Sequence, residues 1–528
     1  MDSLKAIDMD ASHHLDIMNM GNFLSMNAEK FPQKTAIVVD EESRTYGELN
    51  SRVNGLANGL LQLGLKKEDL IGILSLNSVP WVEALYAIFK IGGIAVPINY
   101  RLLHQEIIRE LQRTDVAALF FTYDFIEVAK SYQKAKSREI PLILLEGSAS
   151  EEILSLESLV SGSSDGEPSV EVNRNDVAVI MFTGGTTGLP KGALCTHEMF
   201  IWTTINYMIE YETPRTDHIM LHPYPIFHTS GMYRFISYIW AGATYLTMGI
   251  YDTERCLKLI ERHRVNAFIG SSAVFVPMFE MKKNLGINTS SVKICCATFA
   301  FMDSEGRKRL HELFPNAEIY EGYGLTEGGP ISALKPYQKP KEEGSVGRPG
   351  INTKLKIVGD EGNQLSVGEV GEIVIKGPHV PLGYYNNPEE TKASFKDGWF
   401  HTGDMGKLDE DGFLYMVDRK KDMIKTGGEN VYSREVEEAL LRHPGVEEAA
   451  VIGVPHERWG ETIKAIVVKK KGTELTEQEL IEFCKQHIAS YKKPTSIDFI
   501  ASIPKTETGG KISKWKLREQ YAGVKSEY

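Results

Sequence analysis

The chain has 528 residues, a length that corresponds to roughly three or four domain-sized units. Hydrophobic residues make up 42% and charged residues 25%, which is typical of an ordinary globular protein. The formal net charge of −12 disfavours a nucleic-acid-binding protein, because such proteins carry an excess of basic residues. Any site for a polyanionic ligand must therefore be locally basic within an acidic protein.

The cysteine content and the hydropathy pattern bear on where the protein works. The five cysteines are odd in number and lack the spacing of a metal site, which favours a reducing compartment, and we expect a cytoplasmic protein. Polar residues interrupt the N-terminal segment, so no signal-peptide core is predicted. The longest uncharged run, Phe235 to Tyr251, is short for a spanning helix. It predicts a buried helix followed by a strand, and we expect no integral membrane segment.

Helix and strand patterns alternate in the first third of the chain. Thr45 and Glu48 have the spacing of a capping box, and apolar residues then recur every three or four positions, which predicts an amphipathic helix. Strands separated by helices predict βαβ units and a largely parallel sheet. The further predicted elements are a strand at Leu70–Leu74, a helix at Trp81–Lys90, a strand at Ile94–Ile98, a helix through Ile107–Leu111 and a strand at Val116–Phe121.

The predicted organisation changes four times after this region. Gly147–Pro168 is rich in Ser, Gly and Glu and is predicted to be a loop between two lobes. A second α/β stretch follows, from about Asp176 to Tyr323, and Ser345–Tyr415 has short β segments with Gly-rich turns that predict a β-rich subdomain. The last predicted elements are helices at Glu435–Leu441 and Glu477–Ile488 and strands at Glu448–Val454 and Ile463–Lys469.

The most informative motif is Met181-Phe-Thr-Gly-Gly-Thr-Thr-Gly-Leu-Pro-Lys-Gly192, which follows a β-rich run at Val177–Phe182. Its glycines let the backbone approach an anion, and its hydroxyls and ammonium group suit phosphate. The motif therefore predicts a polyphosphate loop, but not a Walker A loop, because Pro190 precedes the lysine and a glycine follows it. The candidate phosphate-binding residues are Thr183, Gly184, Gly185, Thr186, Thr187, Gly188 and Lys191.

This motif resembles the phosphate loop of the adenylate-forming superfamily, which contains acyl- and aryl-CoA synthetases, peptide-synthetase adenylation domains and beetle luciferases. The family usually has Ser where Gly184 stands, so one hydroxyl is missing here. The resemblance covers nearly the whole chain, in motifs that occur in family order. It implies that the protein binds ATP, Mg²⁺ and coenzyme A, and that it is an AMP-forming acid–thiol ligase with a place in fatty-acid metabolism.

A second motif, Tyr320-Glu-Gly-Tyr-Gly-Leu-Thr-Glu327, resembles the Tyr-Gly-x-Thr-Glu motif of the family. The resemblance implies that Tyr323 packs against adenine, that Thr326 contacts the α-phosphate and that Glu327 holds Mg²⁺. Gly324 belongs to the same nucleotide-binding motif. The residue types suit these roles, because an aromatic face suits a purine and a hard carboxylate suits Mg²⁺.

The third motif is Phe400-His-Thr-Gly-Asp404, and it is followed by a basic segment that begins at Asp418. The resemblance implies that Asp404 accepts hydrogen bonds from the ribose hydroxyls and that Arg419 meets the ribose or a phosphate. It also implies that Lys421 is the pivot between two domains, with the hinge near 419–423. A hinge needs a few residues at an element boundary that absorb large dihedral changes.

Two further motifs lie in the C-terminal part. In the segment from Lys425 to Glu437, Gly427 and Gly428 would let a pantetheine arm pass close to the backbone, and Lys425 is a candidate catalytic residue of the thioester step. Trp459-Gly-Glu461 also resembles the CoA-synthetase subgroup. In the segment from Pro504 to Lys514, Lys511 matches the essential lysine of the family. One extra glycine before Lys511 leaves Lys505 and Lys514 as alternatives.

The sixth motif, Tyr224-Pro-Ile-Phe-His-Thr-Ser-Gly231, resembles the aromatic–His element that lines the carboxylate tunnel, so His228 would steer the carboxylate. Phe299 stands where relatives have Gly and favours a compact acid, unless the backbone shifts instead. Arg234 is predicted to lie at the surface; the alternative is that it pairs with a second carboxylate of the substrate.

The resemblance implies an α/β fold with a large N-terminal domain, residues 1–418, built of two α/β lobes and a β-rich subdomain. A small mobile α+β domain, residues 419–528, follows it. The implied substrate is a fatty, aromatic or cyclic carboxylic acid, and a homodimer is left open. Alternatives remain: adenylate synthesis for a free-standing carrier protein, oxidative use of the adenylate, or a catalytically silent nucleotide-binding module.

Overall fold

The computed structural model describes residues 18–148, 150, 152–183, 190–298, 304–427, 429–505 and 512–523. The chain divides into two compact units. The described residues of Met1–Thr183, Lys191–Lys354 and Lys376–Phe395 form the first unit, and those of Leu355–Ile375 and Lys396–Tyr528 form most of the second.

The first unit is a mixed α/β structure. Its helices are α1 Met20–Lys30, α2 Tyr46–Gln62, α3 Val79–Lys90, α4 His104–Thr114, α5 Ile126–Ala135, α6 Leu156–Ser161, α7 His197–Glu210, α8 Thr229–Trp240, α9 Thr253–Arg262, α10 Ser272–Leu285, α11 Ser304–Leu313 and α12 Pro388–Ser394. Its strands are β1 Thr35–Val39, β2 Glu42–Thr45, β3 Leu70–Leu74, β4 Ile94–Pro97, β5 Ala118–Phe121, β6 Leu142–Leu144, β7 Leu154–Ser155, β8 Val177–Thr183, β9 Lys191–Thr196, β10 Ile219–Leu221, β11 Thr244–Thr247, β12 Ala267–Gly270, β13 Ile294–Thr298, β14 Glu318–Leu325, β15 Gly329–Leu334 and β16 Arg348–Pro349.

Two sheets organise these strands. A seven-stranded sheet has the order β7-β6-β5-β3-β4-β8-β9 and is parallel except for the last pair, β8 and β9. A nine-stranded sheet has the order β16-β15-β14-β13-β12-β10-β11-β1-β2, with a parallel centre from β14 to β1. The predicted parallel sheet and its strand at Leu70–Leu74 are confirmed.

The helices form three layers around these sheets. One apolar cluster joins residues of both sheets with α1, α2, α3, α7 and α8, so these five helices lie between the sheets. Helices α4 and α5 pack on the outer face of the seven-stranded sheet, and α9, α10 and α11 on the outer face of the other. Successive residues of a strand face opposite layers: Phe120 belongs to the central cluster, while Leu119 and Phe121 belong to the outer one.

Local sequence signals explain several element boundaries. Helix α2 starts after Thr45, whose side chain accepts a hydrogen bond from the Glu48 amide while the Glu48 carboxylate caps Thr45, so the predicted capping box is confirmed. Pro80 stands in the first turn of α3, where its missing N–H costs nothing, and Ser78 caps that helix. The predicted buried helix and strand within Phe235–Tyr251 are the end of α8 and β11.

The second unit contains two smaller sheets. Its strands are β17 Lys354–Val358, β18 Gly371–Lys376, β19 Phe395–Lys396, β20 Trp399–Leu408, β21 Leu414–Arg419, β22 Ile424–Thr426, β23 Glu429–Val431, β24 Val446–His456, β25 Gly460–Lys469 and β26 Ser496–Phe499. Its helices are α13 Ser433–Leu441, α14 Glu477–His487 and α15 Lys514–Ala522. One sheet has the order β17-β18-β20-β19, with β21 on β20. The other has the order β23-β22-β25-β24, with β26 on β25.

Two predictions of organisation need correction. Gly147–Pro168 is not only a loop, because β7 and α6 lie within it. The Ser155 side chain caps α6 by accepting a hydrogen bond from the Ser158 amide, so a serine that suggested a loop in fact starts a helix. The stretch from Ser345 to Tyr415 is not uniformly β-rich, since α12 interrupts it and Lys376–Phe395 belongs to the first unit. No helix of the described residues combines the length and the apolarity needed to cross a membrane.

Gly347 provides a test of the close packing in the first unit. It has φ +85°, and a Cβ built on it would lie 1.9 Å from the carbonyl atoms of Ala333, which cannot move away because they belong to β15. Gly64 has φ +84° with nothing within 4 Å of a Cβ. We expect Gly64→Ala to cost about 1–2 kcal/mol from backbone strain alone, and Gly347→Ala to cost at least about 4 kcal/mol. Thermal unfolding of both variants measures the difference, and equal losses would contradict the close approach of Gly347 to β15.

Candidate active site

The hairpin of β8 and β9 holds both described ends of the phosphate-loop motif. Thr183 pairs with Lys191 in the antiparallel register, so these two residues stand side by side at the base of the loop. The ammonium of Lys191 forms a close ion pair with Glu390 on α12 and lies 5.3 Å from the centre of the Tyr384 ring. This hydrogen bond from Lys191 lowers the pKa of Glu390. Gly184, Gly185, Thr186, Thr187 and Gly188 lie outside the described residues.

Three hydroxyl groups hold the Thr326–Glu327 turn. The hydroxyl oxygens of Thr229 and Thr326 are 2.7 Å apart, and the Tyr233 hydroxyl donates to the carbonyl of Thr326 at 2.6 Å. The Tyr384 hydroxyl donates to the Glu327 carboxylate at 2.9 Å. Burial, and then the nearby Glu327 charge, raises the pKa of Tyr384, so its hydroxyl keeps the proton that it donates.

Tyr384 thus connects two motifs that are far apart in the sequence. Its hydroxyl bonds to Glu327 while its ring lies beneath the Lys191 ammonium. His228 caps the start of α8, directly before Thr229, so it too lies beside the Thr326 turn. The structure therefore brings together Lys191, Thr326, Glu327 and His228, which the sequence had indicated in three separate motifs.

The strand that carries Tyr323 needs its flanking glycines. A Cβ at Gly324 would lie 2.2 Å from the carbonyl oxygen of Gly329, and one at Gly322 would lie 1.9 Å from the Tyr211 hydroxyl. The pairing of β14 with β15 shifts register between Tyr323 and Gly324. These glycines allow the backbone to bend there, next to the half-buried Tyr323 side chain.

The described residues fit a magnesium ion held by one carboxylate. No cluster of three or more His, Cys, Asp or Glu side chains suited to a metal occurs in the described ranges. Mg²⁺ typically keeps several waters and takes one or two protein carboxylates together with substrate phosphates. Glu327 supplies one carboxylate at this turn, and its hydrogen bond from Tyr384 fixes one of its oxygens.

In the second unit, Asp404 and Arg419 face each other. They are paired across β20 and β21, and the Arg419 Nε atom lies 3.6 Å from the Asp404 carboxylate. Lys421 follows in a 3₁₀ turn, Lys420–Asp422, whose last residue forms an ion pair with Arg518 at 2.8 Å. Burial, and then the positive charge of Arg419, lowers the pKa of Lys421 to about 8.

Lys425 and Gly427 contact the Trp459-Gly-Glu461 segment, whose sequence resembles the CoA-synthetase subgroup. The Gly427 amide donates to the Trp459 carbonyl at 2.9 Å, and the Lys425 amide donates to the Glu461 carboxylate at 2.8 Å. Gly427 has φ +60°, and a Cβ there would lie 3.0 Å from the Trp459 ring. Trp459 therefore covers the glycine turn; Gly428 lies outside the described residues.

Lys511 also lies outside the described residues, whereas its two sequence alternatives have carboxylate partners. Lys505 forms an ion pair with Glu448 at 2.6 Å, and Lys514 forms one with Glu437 at 2.8 Å. Lys514 is held further by a 2.6 Å hydrogen bond to Ser433. Both side chains are thus engaged in contacts within the second unit.

The prediction that Arg234 lies at the surface is wrong. Its side chain is only 1% exposed, because α8 is enclosed by other elements and all its residues from Gly231 to Ile239 are buried. Sequence reasoning also missed Tyr384, Glu390, Thr229 and Tyr233. Each contributes through a contact with a distant part of the chain, for which the sequence carries no local signal. Phe299 lies outside the described residues.

A protein-family model described as AMP-binding enzyme matches residues 24–385, and the AMP-binding enzyme C-terminal domain matches residues 435–510. The chain belongs to the adenylate-forming superfamily. Within the superfamily it lies in the branch of acyl- and aryl-CoA synthetases.

Feruloyl-CoA synthase from Amycolatopsis sp is a similar protein, 32% identical, with 95% of this chain and 99% of that protein covered. A long-chain-fatty-acid–CoA ligase from Mycobacterium tuberculosis is 34% identical over 96% of this chain and 99% of its own. Among solved structures, o-succinylbenzoate coenzyme A synthetase from Bacillus subtilis, in complex with ATP and magnesium ion, matches with a TM-score of 0.82 and 27% identity. That match covers 94% of this chain and 99% of the other. The predicted family and fold class are confirmed.

The lowered pKa of Lys421 gives a testable pH dependence for this member of the superfamily. The folded protein releases this proton near pH 8, whereas the ordinary pKa of 10.5 applies in the unfolded chain. Since the unfolded state then binds more protons between these values, this group makes the folded state more stable as pH rises from about 8 to about 10.5.

Competitive acetylation across a pH series, read by mass spectrometry, measures the effect directly. The Lys421 peptide should label with a midpoint near pH 8. Lys258 is the control, because its hydrogen bond to Glu254 raises its pKa above 10.5. A Lys421 midpoint at or above that of Lys258 would contradict the burial of this lysine.

Proposed function

We propose that the chain is an AMP-forming carboxylic acid–CoA ligase. MgATP converts a carboxylate into an acyl-adenylate and pyrophosphate, and the thiol of coenzyme A then displaces AMP to give a thioester. The observation that most supports this proposal is the series of contacts from Lys191 through Tyr384 to Glu327, and from Thr326 through Thr229 to His228. In our proposal these residues serve the phosphates, Mg²⁺ and the carboxylate of one site.

The first half-reaction needs stabilisation of negative charge at the α-phosphorus. A substrate carboxylate oxygen attacks this atom in line, and the bond to the pyrophosphate oxygen breaks. In our proposal, His228 steers the carboxylate, Thr326 donates to the α-phosphate, and Lys191 holds the leaving phosphates together with Thr183 and residues 184–188. Glu327 would hold Mg²⁺, which supplies positive charge to the phosphate oxygens when it is bound. Lys511 would add a second positive charge to the transition state.

The second half-reaction has different requirements, because the thiolate attacks the acyl carbon and AMP leaves. We propose that Gly427 and Gly428 allow the pantetheine arm to pass, with Lys425 next to them, and that Asp404 and Arg419 hold the ribose. A site complementary to phosphoryl transfer is not complementary to acyl transfer. We therefore propose that residues 419–528 move relative to residues 1–418 between the half-reactions, with Lys421 at the pivot.

The names of the relatives include both an aromatic and a long-chain aliphatic acid. We propose that this chain acts on a fatty, aromatic or cyclic acid, and on a compact one. The proposal also includes ATP, Mg²⁺ and coenzyme A as the molecules that this site binds.

The experiment that tests the function supplies MgATP, a panel of carboxylic acids and coenzyme A, and measures AMP, pyrophosphate and thioester. We expect one class of acid to give AMP and thioester in equal amounts. Lys511→Met should lose adenylate formation by at least about 100-fold, yet still form thioester from supplied acyl-adenylate, because only the first half-reaction needs that charge. AMP release with no thioester would refute the ligase and favour a carrier protein as acceptor.

Glu327 and Tyr384 form a matched pair for the nucleotide site. Glu327→Gln removes the charge that would hold Mg²⁺, and we expect adenylate formation to fall by about 100- to 1000-fold. Tyr384→Phe keeps the ring beneath Lys191 but removes one hydrogen bond to Glu327, so a loss of about 10-fold is expected. Steady-state pyrophosphate release at varied Mg²⁺ measures both variants. Equal activity of Glu327→Gln and the unchanged protein would contradict the proposed role of Glu327 in holding Mg²⁺.

A further inference from the structure

Arg234 carries a permanent positive charge in the protein interior. Its side chain is 1% exposed, and its guanidinium carbon lies 3.7 Å from the centre of the Tyr207 ring and 4.9 Å from that of Tyr211. A guanidinium does not lose its proton in proteins. In the described part of the chain, Arg234 takes part in no ion pair, and its Nε and Nη1 atoms are buried without a hydrogen-bond acceptor.

The groups nearest to Arg234 supply no negative charge. Burial raises the pKa of the Cys296 thiol and of the Tyr207 hydroxyl, so both remain neutral at pH 7. Burial, and then the charge of Arg234, lowers the pKa of His222 to about 3, so this ring is neutral as well. An uncompensated buried charge strongly destabilises a folded protein. The arrangement therefore lacks an anion.

A second donor in the same region is also unpaired. The Tyr245 hydroxyl is buried without a partner, and its ring stacks on His222 with the ring centres 5.8 Å apart. Burial raises the pKa of the Tyr245 hydroxyl, and the charge of nearby Arg234 opposes this rise. Tyr245 lies on β11 and Arg234 on α8, so the two unpaired donors come from separate elements. Two buried donors without an acceptor, on separate elements, point to a ligand rather than to a local packing fault.

The helix places Arg234 one turn below the proposed reaction centre. Ser230 and Arg234 are four residues apart on α8 and lie on the same face, separated by about 6 Å along the helix axis. Ser230 contacts the His222 ring at 3.1 Å, and its neighbour Thr229 contacts Thr326. This axial separation is comparable to the length of a short dicarboxylic acid.

We propose that Arg234 binds a second, distal carboxylate of the substrate, so that the enzyme acts on short dicarboxylic acids and leaves one carboxylate free. This inference rests on the proposed function and names the substrate class of the same site. The Tyr245 hydroxyl would donate to the same distal group. The aromatic rings of Tyr207 and Tyr211 hold the guanidinium plane from the other side.

The test compares pairs of acids with the same number of carbons. The two acids of each pair differ in one terminal group, a methyl group against a carboxylate. The pairs are butanoate and succinate, hexanoate and adipate, octanoate and suberate, and toluate and phthalate. We expect the unchanged protein to give a kcat/KM at least about 100-fold higher for the dicarboxylate of the best pair, since a site that pairs a polar group rejects the analogue that lacks it. If the best acid of the panel lacks a second anionic group, the proposal is wrong.

Arg234→Met removes the charge with little change in length. It should lower kcat/KM for the dicarboxylate by at least about 100-fold and leave the matched monocarboxylate unchanged or better. Arg262→Met is the control, because Arg262 lies in the same unit but is exposed and pairs with Glu41. If Arg234 had only a structural role, its replacement would lower turnover of both acids equally and would lower the melting temperature. Our proposal predicts that Arg234→Met without ligand melts at the same temperature as the unchanged protein or at a higher one.

Binding without turnover separates this inference from the proposed function. If no acid of the panel yields a thioester, the ligase proposal fails. Thermal shift with the dicarboxylates alone still tests Arg234: they should raise the melting temperature of the unchanged protein but not of Arg234→Met. Equal shifts in the two proteins would overturn the assignment.

Discussion

The hydrogen bonds at the Thr326–Glu327 turn fix the candidate site. Thr229 and Tyr233 on α8 hold the threonine, and Tyr384 holds the glutamate. The Tyr384 ring also contacts the Lys191 ammonium. Together these contacts hold three elements close to one another: the β8–β9 hairpin, the end of β14 and the start of α8. Burial raises the pKa of the Tyr384 and Tyr233 hydroxyls, so both keep the proton that they donate to this turn. The chemistry that we propose depends on this fixed arrangement.

The position of α8 between two sheets explains a second property of the site. A helix that is enclosed on all sides normally carries apolar residues, and most of α8 does. Arg234 breaks this pattern within a shell of aromatic rings and a thiol, none of which bears a compensating charge. Departures from local rules tend to occur where function requires them. The unpaired arginine and the turn at Thr326 therefore mark the two ends of one proposed substrate path.

Sequence reasoning worked best where the signal was local. The capping box at Thr45, the strand at Leu70–Leu74 and the strand before the phosphate loop depend on neighbouring residues, and each is present in the structure. Arg234 was misplaced because its burial depends on both sheets closing over α8, which no sequence window contains. Tyr384 was missed for the same reason, since it acts on residues more than fifty positions away. The helix α6 was missed because its capping serine suggested a turn.

The measurement that tests the central claim most directly is the exchange of labelled pyrophosphate into ATP, in the absence of coenzyme A. A reversible acyl-adenylate makes this exchange depend on both a carboxylic acid and Mg²⁺. The account predicts that Glu327→Gln loses most of this exchange and that Tyr384→Phe loses less of it. ATP consumption to ADP, or exchange that needs no acid, would contradict an adenylating site at the Thr326–Glu327 turn.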